Sequence, residues 1–317
     1  MNTITHKLNS KKFIRFIKWL VLICSYSYIT YLLINYDKYP ELASQLLNTS
    51  FQQLLWLLLA ISLIPINLLL ESSKWKYIVS KSQILSIKDA FKSVLVGFST
   101  GFITPNRTGD MLGRMAYLSP ENRKQAVVYS LLNSYTLTLV LACCGLPTGI
   151  ILYLKVKNIA LFTTDIKLYF GIIVFGIMLS LLAYFSLPQL HKLIKNKTIN
   201  SFSRDLKQFT KSNLVQILIF SLIRYAVFCF QFYAILQFFS IDLEVWQALL
   251  AIPANYLFVT FTPSMAFSEP AIRSSYAMIF IGMFSDQLIN IALAGTLIWV
   301  LNFSLPMLAG SYILAKK

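Results

Sequence analysis

Phe102-Ile-Thr-Pro-Asn-Arg-Thr-Gly-Asp-Met-Leu-Gly-Arg114 places a proline and three charged side chains between two apolar runs of the chain. Pro105 removes a backbone hydrogen-bond donor and interrupts a helix. Arg107, Asp110 and Arg114 would each cost about 2.5 to 3.5 kcal/mol at the centre of an isolated spanning helix. The segment therefore predicts a break in a membrane helix, with its charges in a cavity or at an interface.

The composition is that of a membrane protein. Of 317 residues, 57% are hydrophobic and 13% are charged, and the mean hydropathy is +0.65, whereas a soluble domain carries about 25% charged residues. The longest polar stretch, residues 189–213, is too short to bury a core of its own. We expect an all-α polytopic membrane protein in which residues 1–317 form one domain.

Eight apolar runs follow one another along the chain, and two of them are interrupted. The third has 15 residues before Pro105, and the seventh contains Pro253 and ends at Thr262-Pro263. A helix needs about 20 residues to cross a bilayer, so we predict about six full spanning helices and two broken or re-entrant helical hairpins. The runs are residues 13–34, 51–70, 90–104, 126–154, 168–187, 214–239, 245–262 and 288–314.

The basic residues are distributed unevenly between the two sides that these runs define. Twenty-two of the 28 Lys and Arg residues fall on one side and four on the other, which predicts that both termini are cytoplasmic in an inner cell membrane. Basic loops near anionic lipid account for the net charge of +16, so we expect no nucleic-acid partner. The basic loop 188–212 fits either an amphipathic surface helix or a solvated loop.

The two interrupted runs are also similar to each other. Residues 85–105 and 243–263 align without a gap at an offset of 158, and each copy ends in Thr-Pro. Three spans lie between them, and an odd number inverts the second copy relative to the first. We therefore predict inverted repeats, with repeat 1 at about 51–154 and repeat 2 at about 214–314, as in many transporters.

An acid follows the proline of each copy, five residues later in the first and six in the second, and an arginine follows four residues after each acid. Asp110 and Arg114 follow Pro105, and Glu269 and Arg273 follow Pro263. Residues at i and i+4 lie on one helix face, so each pair can form an ion pair there. Such a pair has two interpretations: a structural contact at a helix end, or part of a polar binding site.

One family has a similar pattern. Thr104-Pro-Asn-Arg-Thr-Gly-Asp110 followed by Arg114 resembles the Pro-x-Arg-x-Gly-acid-x-x-x-Arg motif of the lysylphosphatidylglycerol synthase transmembrane region, or flippase-like, family. Leu68-Leu-Leu-Glu-Ser-Ser-Lys-Trp75 and Leu222-Ile-Arg-Tyr225 with Phe232-Tyr233 resemble other parts of it. The resemblance covers roughly residues 13–314. The chain departs from the family pattern at Asp110, where the family has Glu. It also departs at Ser264-Met-Ala-Phe-Ser268, which lacks the family's glycine.

The resemblance implies a membrane domain that moves a lipid between leaflets, with the charged motifs lining a central cavity. The lipid would be a phospholipid or a lipid-linked anion, because arginine binds phosphate through charge-assisted hydrogen bonds. Arg224 has two interpretations, as a substrate ligand or as an ion-pair partner of Glu269 or Asp286. The predicted substrate-binding residues are Thr104, Pro105, Asn106, Arg107, Asp110, Arg114, Arg224, Glu269 and Arg273.

No motif predicts a cofactor, a metal site or an enzyme. The cysteines Cys24, Cys143, Cys144 and Cys229 lie in apolar runs, which favours buried thiols over ligands or disulfides. His6 and His191 have no acid or cysteine at ligand spacing, and no Gly-rich phosphate loop is present. Two alternatives stay open: a membrane-embedded lipid-modifying transferase with Asp110 or Glu269 as base, and a non-transporting assembly partner in an envelope lipid or glycan pathway.

Overall fold

The structure is a computed structural model that describes residues 49–156, 164–189 and 204–316, together with Ile34 and Pro40. The described residues are helices joined by turns, which confirms the all-α prediction. The first apolar run, apart from Ile34, lies outside the described residues, as does most of the basic loop 188–212.

Ten helices are described, and the last two form one continuous rod through a π-helical turn. In chain order they are α1 Phe51–Val79, α2 Ile87–Ile103, α3 Asp110–Met115, α4 Arg123–Val156, α5 Thr164–Ser186, α6 Lys211–Phe238, α7 Val245–Phe261, α8 Glu269–Ile281, α9 Leu288–Trp299 and α10 Leu305–Ala315, with the π-helical turn at Val300–Ser304.

Five segments of the described chain are long and apolar enough to cross a membrane, so the polytopic class is confirmed. They are Phe51–Val79, Pro120–Lys155, Phe170–Gln189, Lys211–Phe238 and Leu288–Ala315, and they coincide with five predicted runs. The shorter α7 is also apolar. Six full spans stay a prediction, because the sixth is the run at residues 13–34.

The helices α1 and α6 begin with the same capping device. Ser50 Oγ accepts the backbone N–H of Gln53 at 3.2 Å, and the Gln53 side chain accepts the N–H of Ser50 at 2.6 Å. Thr210 and Asn213 exchange the equivalent bonds at 3.2 and 3.1 Å. Each reciprocal pair satisfies two backbone groups that a helix start leaves open, so the sequence fixes both starting points locally.

Helices α2 and α7 form equivalent hairpins with the short helices that follow them. Both have 17 residues, and both their first and their last residues are 158 positions apart. We call α2, the turn at residues 104–109 and α3 the first hairpin, and α7, the turn at 262–268 and α8 the second hairpin. In each hairpin the short helix packs against the longer one. Re-entry into the membrane and the inverted relation of the repeats stay predictions.

Each hairpin packs tightly against a long helix of the other half of the chain. Helix α2 contacts α10, and α7 contacts α4. A Cβ on Gly310 of α10 would collide with the carbonyl oxygen of Leu95, and a Cβ on Gly145 of α4 would lie 2.9 Å from that of Pro253. Leu95 and Pro253 are again 158 positions apart, so two glycines permit the same close approach in both halves.

The buried apolar side chains form two clusters. One surrounds Phe232 of α6 and Ile252 of α7, and the other surrounds Trp75 of α1 and Tyr129 of α4. Charged residues are buried as well, among them Glu71, which is 1% exposed. Because a buried charge is costly without partners, these residues define the region of the candidate functional site.

Candidate functional site

The turn of the first hairpin has a backbone that few residue types adopt. Asn106 and Arg107 both have positive φ, at 50° and 56°. Thr104 Oγ1 accepts the N–H of Gly109 at 2.7 Å, which closes the turn, and a Cβ on Gly109 would collide with the carbonyl oxygen of Thr100. Left-handed backbone at non-glycine residues costs free energy and is concentrated at functional sites.

The tips of the two hairpins are hydrogen-bonded to each other. The backbone N–H of Asn106 donates to the carbonyl oxygen of Ser264 at 3.1 Å, and the N–H of Ser264 donates to Asn106 Oδ1 at 3.0 Å. These two residues are 158 positions apart in the chain. The residues that directly follow the two aligned segments therefore meet in space.

Arg107 of the first hairpin forms a two-point ion pair with Glu269 of the second. Its Nε lies 2.8 Å from Oε1 and its Nη2 lies 2.6 Å from Oε2. Trp299 Nε1 donates to Oε2 at 3.2 Å, and Arg273 Nη2 is 3.8 Å from the same oxygen. Two parallel bonds between a guanidinium and a carboxylate combine strength with a fixed orientation.

Phe303 lies beneath both arginines of this ion-pair group. The guanidinium carbons of Arg107 and Arg273 are 3.6 and 4.5 Å from the centroid of its ring. Phe303 belongs to the π-helical turn Val300–Ser304, and such turns often occur at functional sites. The aromatic face stabilises two cations that a single carboxylate, Glu269, cannot neutralise.

Glu71 of α1 is the centre of a second group of charges. Its carboxylate oxygens lie 2.6 Å from Arg224 Nη1, 2.8 Å from Arg114 Nη2 and 3.4 Å from Lys74 Nζ. Asn133 Nδ2 donates to Oε1 at 2.8 Å. Glu71, Lys74, Arg114 and Arg224 are all buried, so each depends on the others for its electrostatic stabilisation.

The structure shows the ion-pair partners of Asp110 and of Arg224. Asp110 Oδ2 accepts from Arg114 Nε at 2.7 Å, so the predicted pair at i and i+4 is confirmed as a contact. The pairing of Arg224 with Glu269 or Asp286 is wrong: its partners are Glu71 and Asn67, whose Oδ1 accepts from Arg224 Nε at 2.8 Å. The three-dimensional fold places α1 beside α6, which the sequence alone does not reveal.

Both groups of charges, apart from Lys74, line one cavity of about 360 Å³. Its walls are also aromatic, with Tyr225, Phe228, Tyr256 and Phe303 among them. Seven of the nine predicted site residues line this cavity, namely Asn106, Arg107, Asp110, Arg114, Arg224, Glu269 and Arg273. Thr104 instead holds the turn together, and Pro105 begins the short 3-10 helix Pro105–Arg107 within it. The cavity size is in the range of ligand pockets.

A comparison with protein families identifies the chain. A profile of the family described as Lysylphosphatidylglycerol synthase TM region matches residues 19–268, which is well over half of the sequence. The chain belongs to this family. The match includes the first turn and ends one residue before Glu269. Comparisons with curated proteins and with solved structures return no match.

The match confirms the family resemblance that the motif at Thr104–Arg114 indicated. The chain is a multi-pass membrane protein of a family associated with lipid pathways. The role of the nine predicted residues in binding a substrate stays a prediction.

Glu71 and Phe303 are among the residues of the cavity that the sequence interpretation did not predict. Glu71 directly follows the predicted apolar run 51–70, and an acid within a membrane helix is by itself a sign of function. Phe303 is one of 24 phenylalanines and had no distinguishing sequence context of its own. The nearby sequence signal was Pro306, which has no backbone N–H to donate to the carbonyl oxygen of Asn302 and so interrupts the regular helical hydrogen bonds next to Phe303.

The three described cysteines do not line the cavity. Cys143, Cys144 and Cys229 are half-buried and free, and Cys24 lies outside the described residues. In the part of the chain that is described, no three His, Cys, Asp or Glu side chains come together as metal ligands.

Proposed function

We propose that this protein moves a lipid with an anionic headgroup from one leaflet of the membrane to the other. The observation that carries the proposal is one cavity in which the two hairpins, α1 and α6 bring together four arginines and three acids. Buried ionisable residues in membrane proteins usually face a substrate or ion pathway. Family membership supports a role in a lipid pathway. The uneven distribution of Lys and Arg residues supports an inner cell membrane with both termini in the cytoplasm.

The arginines would replace the water that a phosphate loses on entering the membrane. Arg107, Arg114, Arg224 and Arg273 supply guanidinium donors, and charge-assisted hydrogen bonds from such donors are about twice as strong as neutral ones. Asp110, whose side chain is 26% exposed, would orient Arg114 or meet a cationic part of the headgroup.

Movement between leaflets would require the two hairpin tips to separate and rejoin. The Arg107–Glu269 ion pair and the Asn106–Ser264 hydrogen bonds join the tips in this conformation. A phosphate can take the place of the Glu269 carboxylate on Arg107, because both anions accept two parallel hydrogen bonds from a guanidinium. Substrate binding would thus weaken the contact between the hairpins and favour an alternative conformation.

The function as transporter, and not as enzyme, is tested by reconstitution of the purified protein into liposomes. A headgroup-labelled anionic phospholipid is placed in both leaflets, and a membrane-impermeant quencher reports its exchange. We expect exchange that is faster than in protein-free liposomes, with the mass of the lipid unchanged. A lipid of altered mass would favour the transferase instead, and no exchange with any lipid would favour the assembly partner.

A further inference from the structure

The ion pairs of the cavity form two groups that share no residue. In the first, which we call the Glu269 group, Glu269 contacts Arg107 at 2.6 Å and Arg273 at 3.8 Å. In the second, the Glu71 group, Glu71 contacts Lys74, Arg114 and Arg224, and Arg114 also contacts Asp110. Among the described residues, no ion pair joins the two groups.

Each group has one cation more than it has anions. The Glu269 group has two cations and one acid, and the Glu71 group has three cations and two acids. An unneutralised charge that is buried away from water is strongly unfavourable. The two excess charges therefore favour two anionic groups, one beside each ion-pair group.

Each group also keeps one buried nitrogen that has no hydrogen-bond partner. In the Glu71 group it is Nη1 of Arg114, whose side chain is 5% exposed, and in the Glu269 group it is Nε of Arg273, whose side chain is 12% exposed. Both residues line the cavity. Buried donors are nearly always satisfied in folded proteins, so each group lacks an acceptor as well as an anion.

We infer that the cavity binds one lipid whose headgroup carries two anionic groups, such as a diphosphate or a phosphate with a second acid. One anion accepts from the Glu269 group and the other from the Glu71 group. All members of the two groups except Lys74 line the same 360 Å³ cavity, which suits one headgroup that contacts both groups. The inference deepens the proposed function and rests on it for the lipid part of the ligand.

Binding to the purified protein in detergent tests this inference without any transport. The probes are farnesyl diphosphate, farnesyl monophosphate, inorganic pyrophosphate and inorganic phosphate, titrated by calorimetry. We expect one farnesyl diphosphate per protein and an affinity at least about tenfold above that of the monophosphate, since one more charge-assisted contact forms. Equal affinities for farnesyl diphosphate and farnesyl monophosphate would overturn a single headgroup with two anions.

The two inorganic probes distinguish a lipid from a free anion. If the ligand is a lipid, farnesyl diphosphate binds more tightly than pyrophosphate, because its chain adds apolar contact. Equal binding of the two would overturn the lipid part of the inference.

Substitution of one group at a time provides the second test. Arg273→Gln should lower the affinity for the diphosphate to about that of the monophosphate and leave the monophosphate within about threefold, because the Glu71 group still binds one anion. Arg273→Lys keeps the charge and should keep part of the preference. Lys88→Gln removes the same charge from an exposed residue outside the cavity and serves as the control. An unchanged diphosphate preference in Arg273→Gln would contradict the assignment of one anion to each group.

Failure of this inference is distinguishable from failure of the proposed function. A protein that exchanges a singly charged phospholipid between leaflets but does not prefer the diphosphate keeps the function and loses the inference. A protein that binds the diphosphate and exchanges no lipid loses the proposed function.

Discussion

Arg107 and Glu269 are 162 residues apart in the chain and form two hydrogen bonds, at 2.8 and 2.6 Å, across the contact between the hairpins. Arg107 belongs to the first hairpin and Glu269 to the second. The Arg107 side chain is 27% exposed and that of Glu269 is 8% exposed, so the pair is partly screened from water. The ion pair is therefore a structural contact, and Arg107 within it is a cation that a headgroup can reach.

Removal of either partner should reduce stability and abolish lipid exchange. Glu269→Ala leaves Arg107 and Arg273 without their carboxylate, and we expect a loss of about 2 to 5 kcal/mol in the free energy of unfolding. Arg107→Ala should cost less, because Glu269 keeps Trp299 and Arg273 as partners. The double variant should lose less than the sum of the two, as neighbouring residues couple.

Chemical unfolding in detergent measures the free energy of unfolding of these three variants, and the liposome assay measures their rate of lipid exchange. Lys88→Ala and Glu121→Ala, both exposed, are controls for the loss of charge. Additive losses in the double variant would contradict the energetic coupling of the pair, and exchange at the normal rate in Arg107→Ala would contradict its place in the binding site.

Glu71 should be the acid whose loss destabilises the protein most. Glu71→Gln keeps the size of the side chain but removes the charge that stabilises Lys74, Arg114 and Arg224. We expect a loss of at least about 3 kcal/mol, as for other broken buried ion pairs. Thermal unfolding in detergent checks this, with Glu121→Gln as the exposed control. A Glu71→Gln variant as stable as that control would show that the buried cations have another source of stabilisation.

The aromatic ring of Phe303 should contribute to anion binding through the two arginines above it. Phe303→Leu keeps an apolar side chain and removes the ring face, so the headgroup affinity should fall by about 2- to 30-fold, corresponding to about 0.5 to 2 kcal/mol. Phe303→Tyr keeps the ring and should bind as before. Calorimetric titration with farnesyl diphosphate measures the affinity, and Phe170→Leu, on the exposed surface of α5, is the control. Equal effects in the two leucine variants would contradict a role for the ring.

Gly310 should tolerate no side chain, in contrast to Gly171. A Cβ on Gly310 would collide with the carbonyl oxygen of Leu95, whereas a Cβ on Gly171 would have nothing within 4 Å. Gly310→Ala should therefore force α10 and α2 apart and destabilise the protein by about 1 to 3 kcal/mol. Gly171→Ala should be neutral or stabilising, because alanine favours a helix by about 1 kcal/mol over glycine. Thermal unfolding of both variants is the measurement, and equal melting temperatures would contradict the close packing of α2 on α10.

The sequence predicted the helices well because their signals are local. The apolar runs and the prolines that interrupt them are properties of short segments, and the contact of Asp110 with Arg114 follows from helical spacing alone. The pairing of Arg107 with Glu269 is different, since Glu269 was expected to act beside Arg273 on its own helix. That pairing depends on how the two hairpins meet, which no local pattern determines.

The same reasoning explains why the sequence did not predict every charged and aromatic residue at the centre of the cavity. Glu71, Arg114 and Arg224 come from three helices, and only the packing of α1 against α6 and the return of α3 bring them together. Phe303 faces the arginines because the π-helical turn changes the rotation of the helix before α10. Burial made these residues recognisable, and burial is a property of the folded chain.

A disulfide between the hairpin tips should stop lipid exchange reversibly. Asn106 and Ser264 exchange hydrogen bonds at 3.1 and 3.0 Å, so cysteines at the two positions lie close enough to be tested for a bond. In a background without the native cysteines, Asn106→Cys with Ser264→Cys should lose exchange by at least about tenfold on oxidation, if conformational separation of the tips is required. A reductant should restore it, and Asn106→Cys alone under the same oxidant is the control. Exchange at an undiminished rate in the cross-linked protein would show that the tips stay together while the lipid crosses.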